Sequence, residues 1–136
     1  MRSVLPAAVA YFAAVFAAGF VLGTVRVLAL APLMGEVAAV LVELPVMLAV
    51  SFLAARWAVG RHAVPPRFLP RLAMGEVAFL LLIAAEVALG LVAFGRSFEE
   101  VVAGMAAPAG LIGLAGQVVF GLMPVVLLAG RGGVRG

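Results

Sequence analysis

The sequence predicts an all-α fold, a four-transmembrane-helix bundle with both termini cytoplasmic, and three observations carry that prediction. Hydrophobic residues make up 67% of the 136-residue chain and charged residues 11%, too little polar surface to coat a water-soluble globule of this length. Four apolar runs, at about 4–31, 34–58, 72–95 and 107–130, each suffice for the roughly 20 residues that cross a bilayer. The runs are continuous rather than alternating, which excludes a closed barrel and leaves helices to satisfy the backbone in hydrocarbon. Residues 1–136 then form a single integral membrane domain.

The first run opens as "MRSVLPAAVAYFAAVFAAGFVLG", a short basic start and an apolar stretch like a secretory signal. Its apolar character continues to about Ala31, longer than a signal core, so it reads as a retained span. "APLMG" turns the chain into the second run, and "RWAVGRHAVPPRFLPR" carries it to the third. Pro65, Pro66 and Pro70 make that linker stiff and extended, joining two helical hairpins without adding a soluble domain. "GRSFEEVVAGMA" predicts a short amphipathic turn on the outer surface before the fourth run, with Glu99 and Glu100 as a solvated face. "MGEVA" occurs at both 34–38 and 74–78, but it starts helices of opposite direction, so it reads as coincidence rather than an inverted repeat.

The net charge of +3 comes from nine arginines with no lysine. Arg2, the cluster Arg56, Arg61, Arg67 and Arg71, and the tail arginines Arg131 and Arg135 share one side of a four-span chain. Arg26 and Arg96 lie towards the other side, beside Glu36, Glu99 and Glu100. An excess of arginine marks the cytoplasmic side, with Trp57 as an interfacial anchor. The basic balance is thus topological, and no nucleic-acid partner is expected.

Absences narrow the chemistry. The chain has no cysteine, no aspartate and one histidine, His62, which reads as an ordinary loop residue. There is no Gly-rich phosphate loop, HExxH or nucleophile elbow, so no enzyme activity, cofactor or metal site is expected.

The sites that remain are polar residues inside the spans. Counted inwards at about 1.5 Å per residue, Glu43, Glu86 and Gln117 share a depth in the outer leaflet, and Arg26 lies about one turn above it. At about 100° per residue, Gly19, Gly23 and Arg26 share one face of the first helix, and Gly110, Gly113, Gln117 and Gly121 share a stripe on the fourth. Small residues let membrane helices approach, so these faces are expected to point into the bundle. A charge at mid-bilayer costs roughly 2.5–3.5 kcal/mol, so three at one level need partners or water. One arginine against two carboxylates leaves a surplus, the prerequisite for carrying a proton or exchanging it for a cation. Pro45 frees a backbone carbonyl beside this layer, and Pro124 does the same deeper in the fourth helix.

Glu36 and Glu76 are secondary candidates: Glu36 at the outer interface, pairing with Arg26 or Arg96, and Glu76 snorkelling towards Arg71 or Arg56. Thr24 is expected to bond its own helix backbone. Tyr11, off the Arg26 face, reads as lipid-facing or core.

The runs "GTVRVLALAPLMGEVAAVLVELPVMLAVSFLAARW" and "RLAMGEVAFLLLIAAEVALG" together resemble an uncharacterised family of small four-helix bacterial inner-membrane proteins. The resemblance covers most of the chain, takes in Arg26, Glu36, Glu43 and Glu86 as landmarks, and implies no activity. The small multidrug-resistance family differs by placing its membrane glutamate in the first helix, and the fluoride channels by an asparagine and aromatic pattern missing here.

Two functions fit. In the first, the chain is a proton- or cation-coupled transporter or channel, a homodimer, with Glu43 and Glu86 binding the ion and Arg26 tuning them. In the second, it is a structural or accessory subunit for a partner membrane protein, and the polar layer only locks helix packing.

Overall fold

A computed structural model describes residues 2–135, with side chains for residues 2–129. The tail arginines Arg131 and Arg135, which the sequence places on the inner side, lie outside the described side chains. All elements among the described residues are helical: α1 (Val4–Met34), α2 (Glu36–His62), α3 (Phe68–Ala93), α4 (Phe98–Ala106) and α5 (Pro108–Arg135). The helices α1, α2, α3 and α5 are long and apolar enough to cross a membrane.

Helix α1 runs past the predicted end at 31 because the chain widens at Arg26–Leu30 into a π-helical turn, where the Ala31 N–H reaches back to the Arg26 carbonyl. Pro32 then sits in the first turn of the resumed helix, where its missing donor costs little. Gly35 alone makes the turn into α2, at φ 86°, a conformation that favours glycine. Helix α2 continues beyond the predicted 58, tolerating Gly60, and closes at Ala63, whose φ is 52°. Arg61 and His62 fall in that last turn, where positive charge suits the helix dipole. Helix α3 starts at Phe68, ahead of the predicted 72, because Pro70 is tolerated in a first turn.

Packing joins the spans in a ring, α1–α2–α5–α3 and back to α1. The hairpins α1/α2 and α3/α5 are therefore present as expected, while α2 and α3 face each other across the bundle. Two contacts cross or close the ring. The Tyr11 ring of α1 stacks on Phe120 of α5 with centroids 4.4 Å apart, spanning the α1/α5 diagonal. Gly75 of α3 meets Gly121 of α5 backbone to backbone: a Cβ on Gly75 would lie 1.7 Å from the Gly121 carbonyl oxygen.

The core is lopsided. Ala7, Ala8 and Tyr11 of α1, Ala55 and Ala58 of α2, and Met74 and Ala78 of α3 are fully buried, with Phe120 and Met123 of α5 packed among them. All belong to the half of the bundle that carries the N-terminus. Alanine faces permit this closeness. Towards the other end, Ala39 and Val40 are buried, and α4 lies over the end of α3, with Val101 against Gly90.

Candidate functional site

The polar layer sits in the looser half, and the fold brings its four members into two pairs. Arg26 Nε donates to Glu43 Oε1 at 2.7 Å, joining α1 to α2. Gln117 Nε2 donates to both carboxylate oxygens of Glu86, at 2.7 Å to Oε2 and more closely to Oε1, joining α5 to α3. Each pair spans one hairpin.

Local structure explains the aim of each group. Arg26 opens the π-helical turn of α1, and its Nη2 lies over Gly23, 3.7 Å from where a Cβ would stand, an ordinary contact distance. Glu43 precedes Pro45 by two residues on α2. Leu44, beside Glu43, packs onto Gly116, beside Gln117; a Cβ there would meet Leu44 Cδ1 at 2.6 Å. The notch at Gly116 thus brings α2 and α5 together at the level of the layer.

The layer is neither sealed nor bare. The side chains of Arg26 and Glu43 are 27% and 14% exposed, and Glu86 and Gln117 are half-buried. One arginine meets one carboxylate there, which leaves Glu86 with a neutral amide as its hydrogen-bonding partner.

Other sequence candidates distribute differently. Glu36 is exposed in the first turn of α2, and the Arg26–Glu43 bridge is the one ion pair among the described residues, so Glu36 pairs with neither Arg26 nor Arg96. Arg96 instead lies over the Phe94 ring, 5.5 Å from its centroid. Glu76 likewise pairs with neither Arg56 nor Arg71; it is exposed on α3, lining a shallow depression with Phe79, Val118, Gly121 and Leu122. Arg56 is on α2, across the bundle from it.

Among the packing glycines, Gly121 is in close contact, with Phe79 as well as Gly75, and Gly19 makes an ordinary contact with Met47. Gly110 is tight against the carbonyls of Gly104 and Met105, which closes the α4–α5 corner rather than a helix pair. Gly113 faces open space. Thr24 donates to the Phe20 carbonyl at 2.7 Å, the expected bond within its own helix.

Four residues matter that sequence reasoning did not select. Tyr11 is core, and its hydroxyl donates to the Phe120 carbonyl at 2.6 Å, with Ser51 of α2 alongside. Arg71, assigned to the inner loop's charge cluster, is fully buried because α3 begins early; its Nη1 donates to the Pro124 carbonyl at 3.1 Å. Between the spans, Gly75 carries the tightest backbone approach and Gly116 receives the Leu44 side chain. The available signals were Pro124 itself, which must free a carbonyl, and Gly75 within the second "MGEVA".

Helix α4 carries a capping box. Ser97 Oγ accepts from the Glu100 N–H at 3.1 Å, and the Ser97 N–H donates to Glu100 Oε1 at 2.9 Å. The exposed Glu100 carboxyl is thereby held below the ordinary carboxylate range, first by the Ser97 backbone bond and then by its hydroxyl.

No protein-family model, no curated protein and no solved structure matches the chain, so the comparisons do not confirm the family resemblance.

Proposed function

We propose that this four-span membrane protein binds a proton or a small cation at Glu86 and moves it across the bacterial inner membrane, as a homodimer with both termini cytoplasmic. The observation that carries the reading is the division of charge in the layer. Arg26 is committed to Glu43, so Glu86 is the surplus carboxylate, and its partner Gln117 is an amide. An amide donates through nitrogen to a carboxylate and, turned over, accepts through oxygen from a carboxylic acid. Gln117 can therefore partner both states of Glu86, which an arginine cannot. The half-burial of the layer, against the closed packing around Tyr11 and Phe120, supports access from the end away from the N-terminus.

A second reading, an accessory subunit with a purely structural layer, is favoured by one observation: each polar pair closes a hairpin within the chain. Proton and monovalent-cation flux into liposomes separates the two. Transport requires flux above empty vesicles that Glu86→Gln abolishes and Glu86→Asp partly retains. Flux equal to that of empty vesicles with a folded protein would sink the transport reading and favour the accessory one.

A further inference from the structure

Helix α2 ends in a stripe of unlike residues. Leu53, Arg56, Trp57, Gly60 and Arg61 fall at the i, i+3, i+4, i+7, i+8 spacing of one helical face. The opposite face, Ala54, Ala55, Ala58 and Val59, is locked in the core, so the stripe must point outwards. Leu53 is 61% and Trp57 53% exposed, and both arginines are exposed. A Cβ on Gly60 would meet nothing within 4 Å, leaving a notch between the two guanidinium-bearing positions. Arg67, exposed just before α3, adds a third cation at this end.

No acidic residue lies between Glu43 and Glu76, so the carboxylates of α2, Glu36 and Glu43, stand at least ten residues before the stripe.

We propose that this stripe is a binding site for an anionic phospholipid. Acyl chain lies along Leu53 and Phe52, the Trp57 indole sits at the interfacial level, and the phosphate enters the Gly60 notch between Arg56 and Arg61. Guanidinium forks suit phosphate oxygens, tryptophan belongs at the membrane interface, and basic residues at a span's end attract anionic headgroups. Charge complementarity selects the lipid: a zwitterionic headgroup brings its own cation to the same place.

The test is native mass spectrometry of the full chain released from detergent with equimolar phosphatidylglycerol and phosphatidylcholine. The wild type should retain phosphatidylglycerol preferentially, and Arg56→Gln/Arg61→Gln should lower that retention by about five-fold for each arginine. Gly60→Val should lower it too, with no change of charge, while Arg96→Gln on the far side should not. Equal retention of the two lipids overturns the site, as does a double arginine variant that retains lipid like the wild type. A loss in Arg96→Gln as large as in the double variant also overturns it, because net charge alone would then be responsible. All four positions are exposed, and matching helical circular dichroism verifies the fold of each variant.

Discussion

The Tyr11 hydroxyl donates a 2.6 Å hydrogen bond to the Phe120 carbonyl, the one that Pro124 leaves without its helical donor. A proline four residues on has no N–H to offer, so a buried acceptor would otherwise be stranded. The bond and the ring stack together fasten α1 to α5 across the bundle diagonal. Pro124 also lends its own carbonyl to Arg71. Two polar side chains from neighbouring helices thus converge on one proline-bearing turn, and they do so in the tightly packed half.

Tyr11→Phe keeps the ring and strands the carbonyl, which should cost about 1–3 kcal/mol of unfolding stability in detergent. Pro124→Ala restores a donor at that turn. The double variant Tyr11→Phe/Pro124→Ala should therefore lose less than the sum of the two single losses. Strictly additive losses would mean that the hydroxyl does not serve the proline-freed carbonyl.

Gly75→Ala places a methyl 1.7 Å from the Gly121 carbonyl oxygen, which is backbone and cannot rotate away. Helices α3 and α5 must separate, with a stability loss of about 3 kcal/mol or more. Gly113→Ala meets open space and should be neutral or stabilising by roughly 0.5–1 kcal/mol through lower backbone entropy in the unfolded chain. Equal effects of the two substitutions would contradict the packing described for this helix pair.

The capping box of α4 predicts a pH response. The Glu100 pKa is depressed in the folded state, so its contribution is present above the ordinary carboxylate pKa and is lost as pH falls through the lower, folded value. Amide hydrogen exchange along α4 should accelerate in acid, after correction for intrinsic rates, before α1 or α3 loosens. Ser97→Ala should give fast exchange in α4 already at neutral pH. If α4 amides in Ser97→Ala kept wild-type protection, the cap would not be what holds that helix.

The spans were legible because hydrophobicity is additive along the chain, and Glu43, Glu86 and Gln117 were legible because depth in a helix is a matter of counting. The partner of Arg26 was not. Helix α1 packs against both α2 and α3, so either glutamate was within its neighbourhood, and the π-helical turn at Arg26 alters the phase that a regular helix would have. Arg71 was misplaced for a related reason: charge counting put it in the loop, while Pro70 in a first turn starts the helix earlier. Gly75 and Gly113 look alike in sequence, and their difference arises only when a second helix arrives.

The two pairs of the polar layer should respond differently to neutralisation. Arg26→Gln or Glu43→Gln alone leaves the other charge half-buried without its counter-ion, and each should cost about 3 kcal/mol, near the low end for breaking a buried pair. Arg26→Gln/Glu43→Gln removes both charges while amides can still bond, and should return to within about 1 kcal/mol of wild type. Glu86→Gln already has an amide partner in Gln117 and strands no opposite charge, so its stability should match or exceed wild type. Unfolding of these four variants in mild detergent decides the matter. A double variant as unstable as both single losses combined would show that Arg26 and Glu43 are not coupled. A large loss in Glu86→Gln would mean that the Glu86 carboxylate is needed for the fold, which would count against the proposed ion-binding role.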